Sequence, residues 1–108
     1  GSDVSLEIHM SKVPIITGAD EYAAMGLVPA GAYRNRNYFG AKVSAEAVEE
    51  SRRDMAFDPQ TSGGLLISAP PESAAVIMER LNKTNGTIRS AVIGRVIPPG
   101  DKRIYIME

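Results

Sequence analysis

The sequence predicts an α+β domain in which helices pack on a small mixed sheet, and three stretches carry that prediction. Val4-Ser5-Leu6-Glu7-Ile8-His9-Met10 alternates apolar and polar side chains, the period of a strand with one face against a core. Leu65-Leu66-Ile67-Ser68-Ala69 is a continuous apolar run, as in a central strand covered on both faces. An amphipathic stretch then opens at Pro71 and leads into two strand-like runs, residues 91–97 and 103–107.

Taken in order, the first strand turns Val4, Leu6, Ile8 and Met10 inward and leaves Glu7 and His9 outside. Residues 12–16 follow as an extended connection, because Pro14 restricts both itself and Val13. Residues 19–25 read as a short helix, with Thr17 or Asp20 near its start and Gly26 as its stop. Residues 26–40 hold Gly26, Gly31, Gly40 and Pro29 around a polar and aromatic mixture with neither period 2 nor period 3.6, which predicts a long loop. Loops of that length are uncommon in compact domains and are often functional.

Ser44 is placed to cap a helix from residue 45 to about 55, with Glu46, Glu49 and Glu50 early and Arg52 and Arg53 late, as the helix dipole favours. Residues 58–64 break that helix and feed the strand at 65–69. Pro71 then begins a helix to about Thr84 that directs Ala74, Ala75, Ile77, Met78 and Leu81 inward, and Asn85-Gly86 closes it. Pro98-Pro99-Gly100-Asp101 is the turn between the last two strands. Tyr22, Met25 and Tyr105 read as core or rim positions. A sheet this small containing a strand covered on both faces needs more cover than these helices provide, so neighbouring chain is expected beyond these residues.

At 108 residues and 44% apolar content, the chain fits one core that buries roughly two-thirds of its unfolded surface. Twelve basic against thirteen acidic residues leave a formal charge of -1, so no global field attracts nucleic acid or an anionic membrane. Without cysteine there is no disulfide, thiolate metal site or thiol nucleophile, and the single histidine, His9, cannot build a metal site alone. No apolar run approaches the ~20 residues that span a bilayer, and no charged-then-apolar leader opens the chain; a soluble, cytoplasmic protein is expected. Neither the Walker phosphate loop nor the dinucleotide fingerprint occurs, and no carboxylate pair has an obvious metal spacing.

The unusual residues concentrate in two glycine-bearing segments, 26–36 and 58–64. In the second, Gly63 and Gly64 permit positive φ, so successive backbone N–H groups beside the Thr61 and Ser62 hydroxyls would make an anion-binding concavity. A tight turn that feeds the next strand is the simpler alternative. In the first, Arg34 and Arg36 flank Asn35 and offer two guanidinium forks suited to phosphate or carboxylate. Pairing with Asp58 or a nearby glutamate, or plain solvation, is the competing reading.

Gly26-Leu27-Val28-Pro29-Ala30-Gly31-Ala32-Tyr33-Arg34-Asn35-Arg36, followed by Phe57-Asp58-Pro59-Gln60-Thr61-Ser62-Gly63-Gly64-Leu65-Leu66, closely resembles the C-terminal part of the selenophosphate synthetase (selenide, water dikinase) family. Lys12-Val13-Pro14 and Ile93-Gly94-Arg95-Val96 extend the resemblance over essentially the whole chain. It implies the C-terminal domain of the aminoimidazole ribonucleotide synthetase superfamily, a layered α/β/α domain with partial likeness to a ferredoxin-like fold. It further implies a parent enzyme that converts ATP, selenide and water to selenophosphate, AMP and phosphate, with ATP and magnesium as its cofactors. The family's nucleophilic cysteine or selenocysteine, its partner lysine and most of its magnesium-binding aspartates belong to an N-terminal domain with no counterpart here. A family segment of Asp-Val-Thr-Gly-Phe-Gly type, which opens the C-terminal domain, also has none.

The resemblance therefore implies residues 1–108 as a single C-terminal domain, inactive alone and with no cofactor bound to it, partnered by an N-terminal ATP-binding domain of the same chain in a homodimeric parent. It assigns no catalytic residue; Arg34, Asn35, Arg36, Thr61, Ser62, Gly63 and Gly64 are candidate phosphate contacts lining the phosphoryl-transfer cleft. The alternatives are a docking domain without substrate contact and a fragment of a sister kinase or synthetase of the superfamily.

Overall fold

The computed structural model of the chain describes residues 2–84 and 89–108. Its ordered elements are β1 (Ser5–His9), α1 (Ala19–Ala24), α2 (Ala30–Phe39), β2 (Val43–Ser44), α3 (Glu50–Ala56), α4 (Pro71–Thr84), β3 (Gly94–Ile97) and β4 (Ile104–Met107), with 3-10 turns at Met10–Lys12 and Gly40–Lys42. The strands form one mixed sheet in the order β2-β4-β1-β3. β1 runs antiparallel to β3 and parallel to β4, and β2 runs parallel to β4. Helices on a small mixed sheet are the α+β class that the sequence predicts.

The register explains which side chains meet. Leu6 lies opposite Val96 and Ile104, Ile8 opposite Ile106, and Val43 opposite Ile104, so these side chains share one face. At the β2–β4 end of that face Val43 and Ile106 join Met10, Ala45 and Val48 in the buried core, with Val13, Phe57 and Ile104 packed against it. Towards β3 the cover thins: Leu6 and Ile8 are half-buried and Val96 is exposed. On the other face Glu7 lies opposite Arg95, which it meets at 3.0 Å, and approaches His9 at 3.2 Å. Glu7 and His9 do turn away from the core, as the alternation predicts.

Ser5 is fully buried. It donates to the Lys102 carbonyl (2.6 Å) and accepts from the Gly100 N–H (3.0 Å), which fastens the 98–103 turn across the start of β1. The Tyr105 hydroxyl accepts from the Lys102 N–H at 3.1 Å in the same turn.

Four expectations from the sequence need correction. Residues 26–40 are no long loop, since α2 occupies most of them. Pro29 stands at its start, and its inward side is built from Ala32, 1% exposed, and polar contacts, so no apolar period announces it. The helix expected from residue 45 begins at Glu50, because Ser44 is spent as a strand residue pairing with Tyr105 and Ala45 packs into the core. Residues 65–69 join no strand, with Leu65 92% and Leu66 70% exposed, and β2 takes their place as the fourth strand. The strand expected from residue 91 starts at Gly94, whereas the one expected at 103–107 is found at Ile104–Met107.

α1 ends as expected at Gly26, whose φ of +80° is the left-handed stop that glycine tolerates. Its start is Gly18, with no side-chain cap from Thr17 or Asp20. Tyr22 and Met25 are exposed and lie outside the core, while Tyr105 is half-buried. α4 has the expected bounds, and Ala74, Ile77, Met78 and Leu81 are half-buried, but Ala75, expected on the inner side, is exposed and none of its residues is buried; the Asn85-Gly86 stop lies outside the described residues.

Candidate functional site

The two motif segments meet. Gly31, in the first turn of α2, faces Pro59 so closely that a Cβ built on it would sit 2.5 Å from the Pro59 Cγ. One turn further along, Asn35 donates from Nδ2 to the Phe57 carbonyl at 2.9 Å. α2 therefore lies along residues 57–59, held by a glycine contact at one point and an amide bond at the next.

Arg36 is turned to a structural task. Its Nη1 meets Asp54 Oδ1 at 2.6 Å and Glu50 Oε1 at 3.8 Å, and its guanidinium lies 5.4 Å from the Tyr33 ring centroid. Asp54 is buried, so this pair ties α2 to α3 and holds a carboxylate that would be costly to leave alone. The competing reading is pairing with Asp58 or a nearby glutamate; Glu50 is such a glutamate at 3.8 Å, but the close partner is Asp54 and not Asp58.

Arg34 and residues 61–64 differ from these anchors. Arg34 is exposed, and so are Thr61, Ser62, Gly63 and Gly64. The concavity expected from positive φ at Gly63 and Gly64 does not form: Gly18 and Gly26 are the positive-φ glycines among the described residues. A Cβ on Gly63 would meet Gln60 Oε1 at 2.5 Å, the far end of a flexible side chain that can move aside. The segment folds back on its own Gln60 with ordinary backbone angles.

Arg53, which the sequence marks only as a basic residue late in a helix, has a further place in the structure. With Arg36, Gly40, Val43, Ala45, Glu46 and Phe57 it lines a hollow of about 310 Å³ between α2, β2 and α3. Its Nε is buried without a hydrogen-bond partner, while its Nη2 stands 3.7 Å from Glu50. Glu46, bonded by the Ser44 hydroxyl at 2.7 Å, is held below the usual carboxylate range chiefly by that bond and then by backbone N–H groups. Arg36 and Arg53 are thus offset by Glu46, Glu50 and Asp54, which makes the hollow an ion-pair junction between elements and a poor receptor for a further anion.

What remains for chemistry is a set of donors: the Arg34 guanidinium, the Thr61 and Ser62 hydroxyls, and the N–H groups of Gly63 and Gly64. Donors of this kind suit phosphate oxygens. They do not suit a metal ion, and among the described residues no three histidine or acidic side chains converge as ligands. Among the described residues no helix is long and apolar enough to cross a membrane.

No protein-family model matches the chain. It is similar to the selenide, water dikinase 2 of Peptoclostridium acidaminophilum, 40% identical over 107 residues, which is 99% of this chain and 30% of that protein. It is 45% identical over 107 residues to the selenide, water dikinase of Clostridioides difficile strain 630, covering 98% of this chain and 30% of the relative. That of Caldanaerobacter subterraneus is 43% identical over 105 residues, 97% of this chain and 30% of the relative. The chain spans about 30% of the length of the curated relatives it matches.

Proposed function

The chain belongs to the selenide, water dikinase family, and from that premise we propose that it is the C-terminal domain of a longer enzyme whose phosphoryl-transfer cleft it lines and closes. The parent's reaction would be that of the family: ATP, selenide and water to selenophosphate, AMP and phosphate. The observation that carries the reading is the junction of α2 with residues 57–59, where Gly31 abuts Pro59 and Asn35 holds the Phe57 carbonyl. It brings the two motif segments together through Gly31 and Asn35, with Arg36 tying α2 to α3 beside it, while Arg34 and residues 61–64 stay exposed. Of the seven candidate contacts, Asn35 and Arg36 are therefore positioning residues, and the other five are the donors offered to phosphate.

Phosphoryl transfer depends chiefly on positioning and on stabilising charge at the phosphate oxygens, and a donor in a closed cleft is worth far more than in water. Bound ATP and magnesium supply the phosphoryl group and its charge neutralisation. The chain's own part is to orient phosphate oxygens through the Arg34 guanidinium and the Thr61 and Ser62 hydroxyls, and to exclude water. Nucleotide and metal ligands would come from an N-terminal domain of the parent, a homodimer in the cytoplasm, so the 108 residues alone should neither bind ATP tightly nor turn it over.

The test is Thr61→Ala and Arg34→Ala in the full-length parent. Each should lower selenophosphate formation by the equivalent of about 2 to 4 kcal/mol of transition-state stabilisation with melting unchanged. A second reading, a docking domain without substrate contact, draws on the structural use of Arg36 and Asn35. It requires the opposite result, normal turnover per folded molecule in both variants.

A further inference from the structure

Residues 65–69 have the chemistry of a buried strand and the exposure of a surface. Leu65, Leu66 and Ile67 are 92%, 70% and 52% exposed. Paired as a strand, the segment would turn successive side chains to opposite sides, so Leu65 and Ile67 would face one side and Leu66 the other. No residue from 61 to 69 is hydrogen-bonded to another described residue, which leaves the backbone donors and acceptors open along the segment. Residues 59–71 carry no charge at all. A strand meant to remain at a sheet edge is normally guarded by a charge, a bulge or an inward lysine, and this segment has none of these.

α4 follows at once and repeats the pattern. Ala74, Ile77, Met78 and Leu81 recur at helical spacing on one side, yet none of its residues is buried. An exposed apolar run and a helix stripe that is only half-buried, adjacent in sequence, are both left short of the cover their side chains need.

We propose that residues 65–69, with the apolar stripe of α4, form the surface on which the rest of the longer family chain docks, and that this occupant pairs with residues 65–69 as a β-strand. The inference rests on the reading of these residues as a domain of a longer protein. A strand is required because only another backbone satisfies an open row of N–H and C=O groups, and an apolar layer is required because both faces are greasy. A small ligand meets neither need. The match to relatives covers 30% of their length, so more than two-thirds of each relative lies outside it, ample to supply both a strand and a covering layer.

Hydrogen exchange on the 108-residue chain and on the full-length parent tests this, alongside selenophosphate formation by the parent. Amides of residues 65–69 should exchange unprotected in the 108-residue chain at every concentration, and roughly 100-fold or more slower in the parent. In the parent Leu66→Lys should remove that protection while the amides of β1 stay protected; Leu66→Thr, which keeps strand propensity, should retain the pairing in part. Equal exchange in both chains overturns the proposal, and if the parent still makes selenophosphate the functional reading stands without it. Protection already present in the 108-residue chain also overturns it: independent of concentration, it means closure within the chain, and rising with a sedimenting dimer, it means a second copy. Protection in a parent that makes no selenophosphate leaves the docking surface intact and sinks the functional reading.

Discussion

Gly31→Ala measures how tightly α2 is packed against the second motif segment. In an open helix the change stabilises by up to about 1 kcal/mol, because alanine loses less backbone freedom on folding. Here the new Cβ would stand 2.5 Å from Pro59 Cγ and 3.4 Å from its Cβ and Cδ. Carbon atoms prefer roughly 3.5 to 4.0 Å, and a pyrrolidine ring cannot swing aside as a long side chain can. Overpacking of this kind costs about 1 to 3 kcal/mol, so the net effect runs from neutral to about 2 kcal/mol destabilising. Pro59→Ala removes the wall, at a cost of about 0.4 to 1 kcal/mol through the freer unfolded chain. The double variant should then recover the helical gain, giving a coupling energy of about 1 to 3 kcal/mol. Urea unfolding of the four proteins, followed by far-ultraviolet circular dichroism, reads it directly. A Gly31→Ala protein stabilised by about 1 kcal/mol, with no coupling to residue 59, would refute the contact.

Two further predictions concern the sheet. Ser5→Ala strips the partner from both the Gly100 N–H and the Lys102 carbonyl, and should destabilise by about 1 to 3 kcal/mol in the same unfolding assay; an unchanged midpoint would show that water replaces the hydroxyl freely. The hydrogen bond from Arg95 holds the Glu7 carboxyl below its usual range, with the charge of Arg95 and a bond from His9 adding to it. A lowered folded-state value means that this contribution is complete above the ordinary glutamate pKa of ~4.3 and fades as pH falls through the lower folded value. Acid titration of stability should therefore lose that component in Glu7→Gln, and identical acid profiles would show that the ion pair is energetically silent.

The sequence alone determined β1, β4, α4 and the Gly26 stop, because each speaks through a signal carried within a few residues: an alternation, a strand-like run, a helical stripe, a glycine directly after a short helix. The resemblance to selenide, water dikinases was legible too, in two motif segments whose side-by-side placement the tertiary structure then displayed. α2 was a tertiary decision. Its contacts are polar and distant in sequence, Asn35 to Phe57 and Arg36 to Asp54, and a helix held that way leaves no hydrophobic period to read. So were the burial of Ser5, which needs the 98–103 turn brought back across β1, and the two-residue β2, which exists only because β4 lies beside it. Residues 65–69 show the converse: their composition sets what such a segment needs on both faces, but burial depends on a second surface, and the described residues bring none to it.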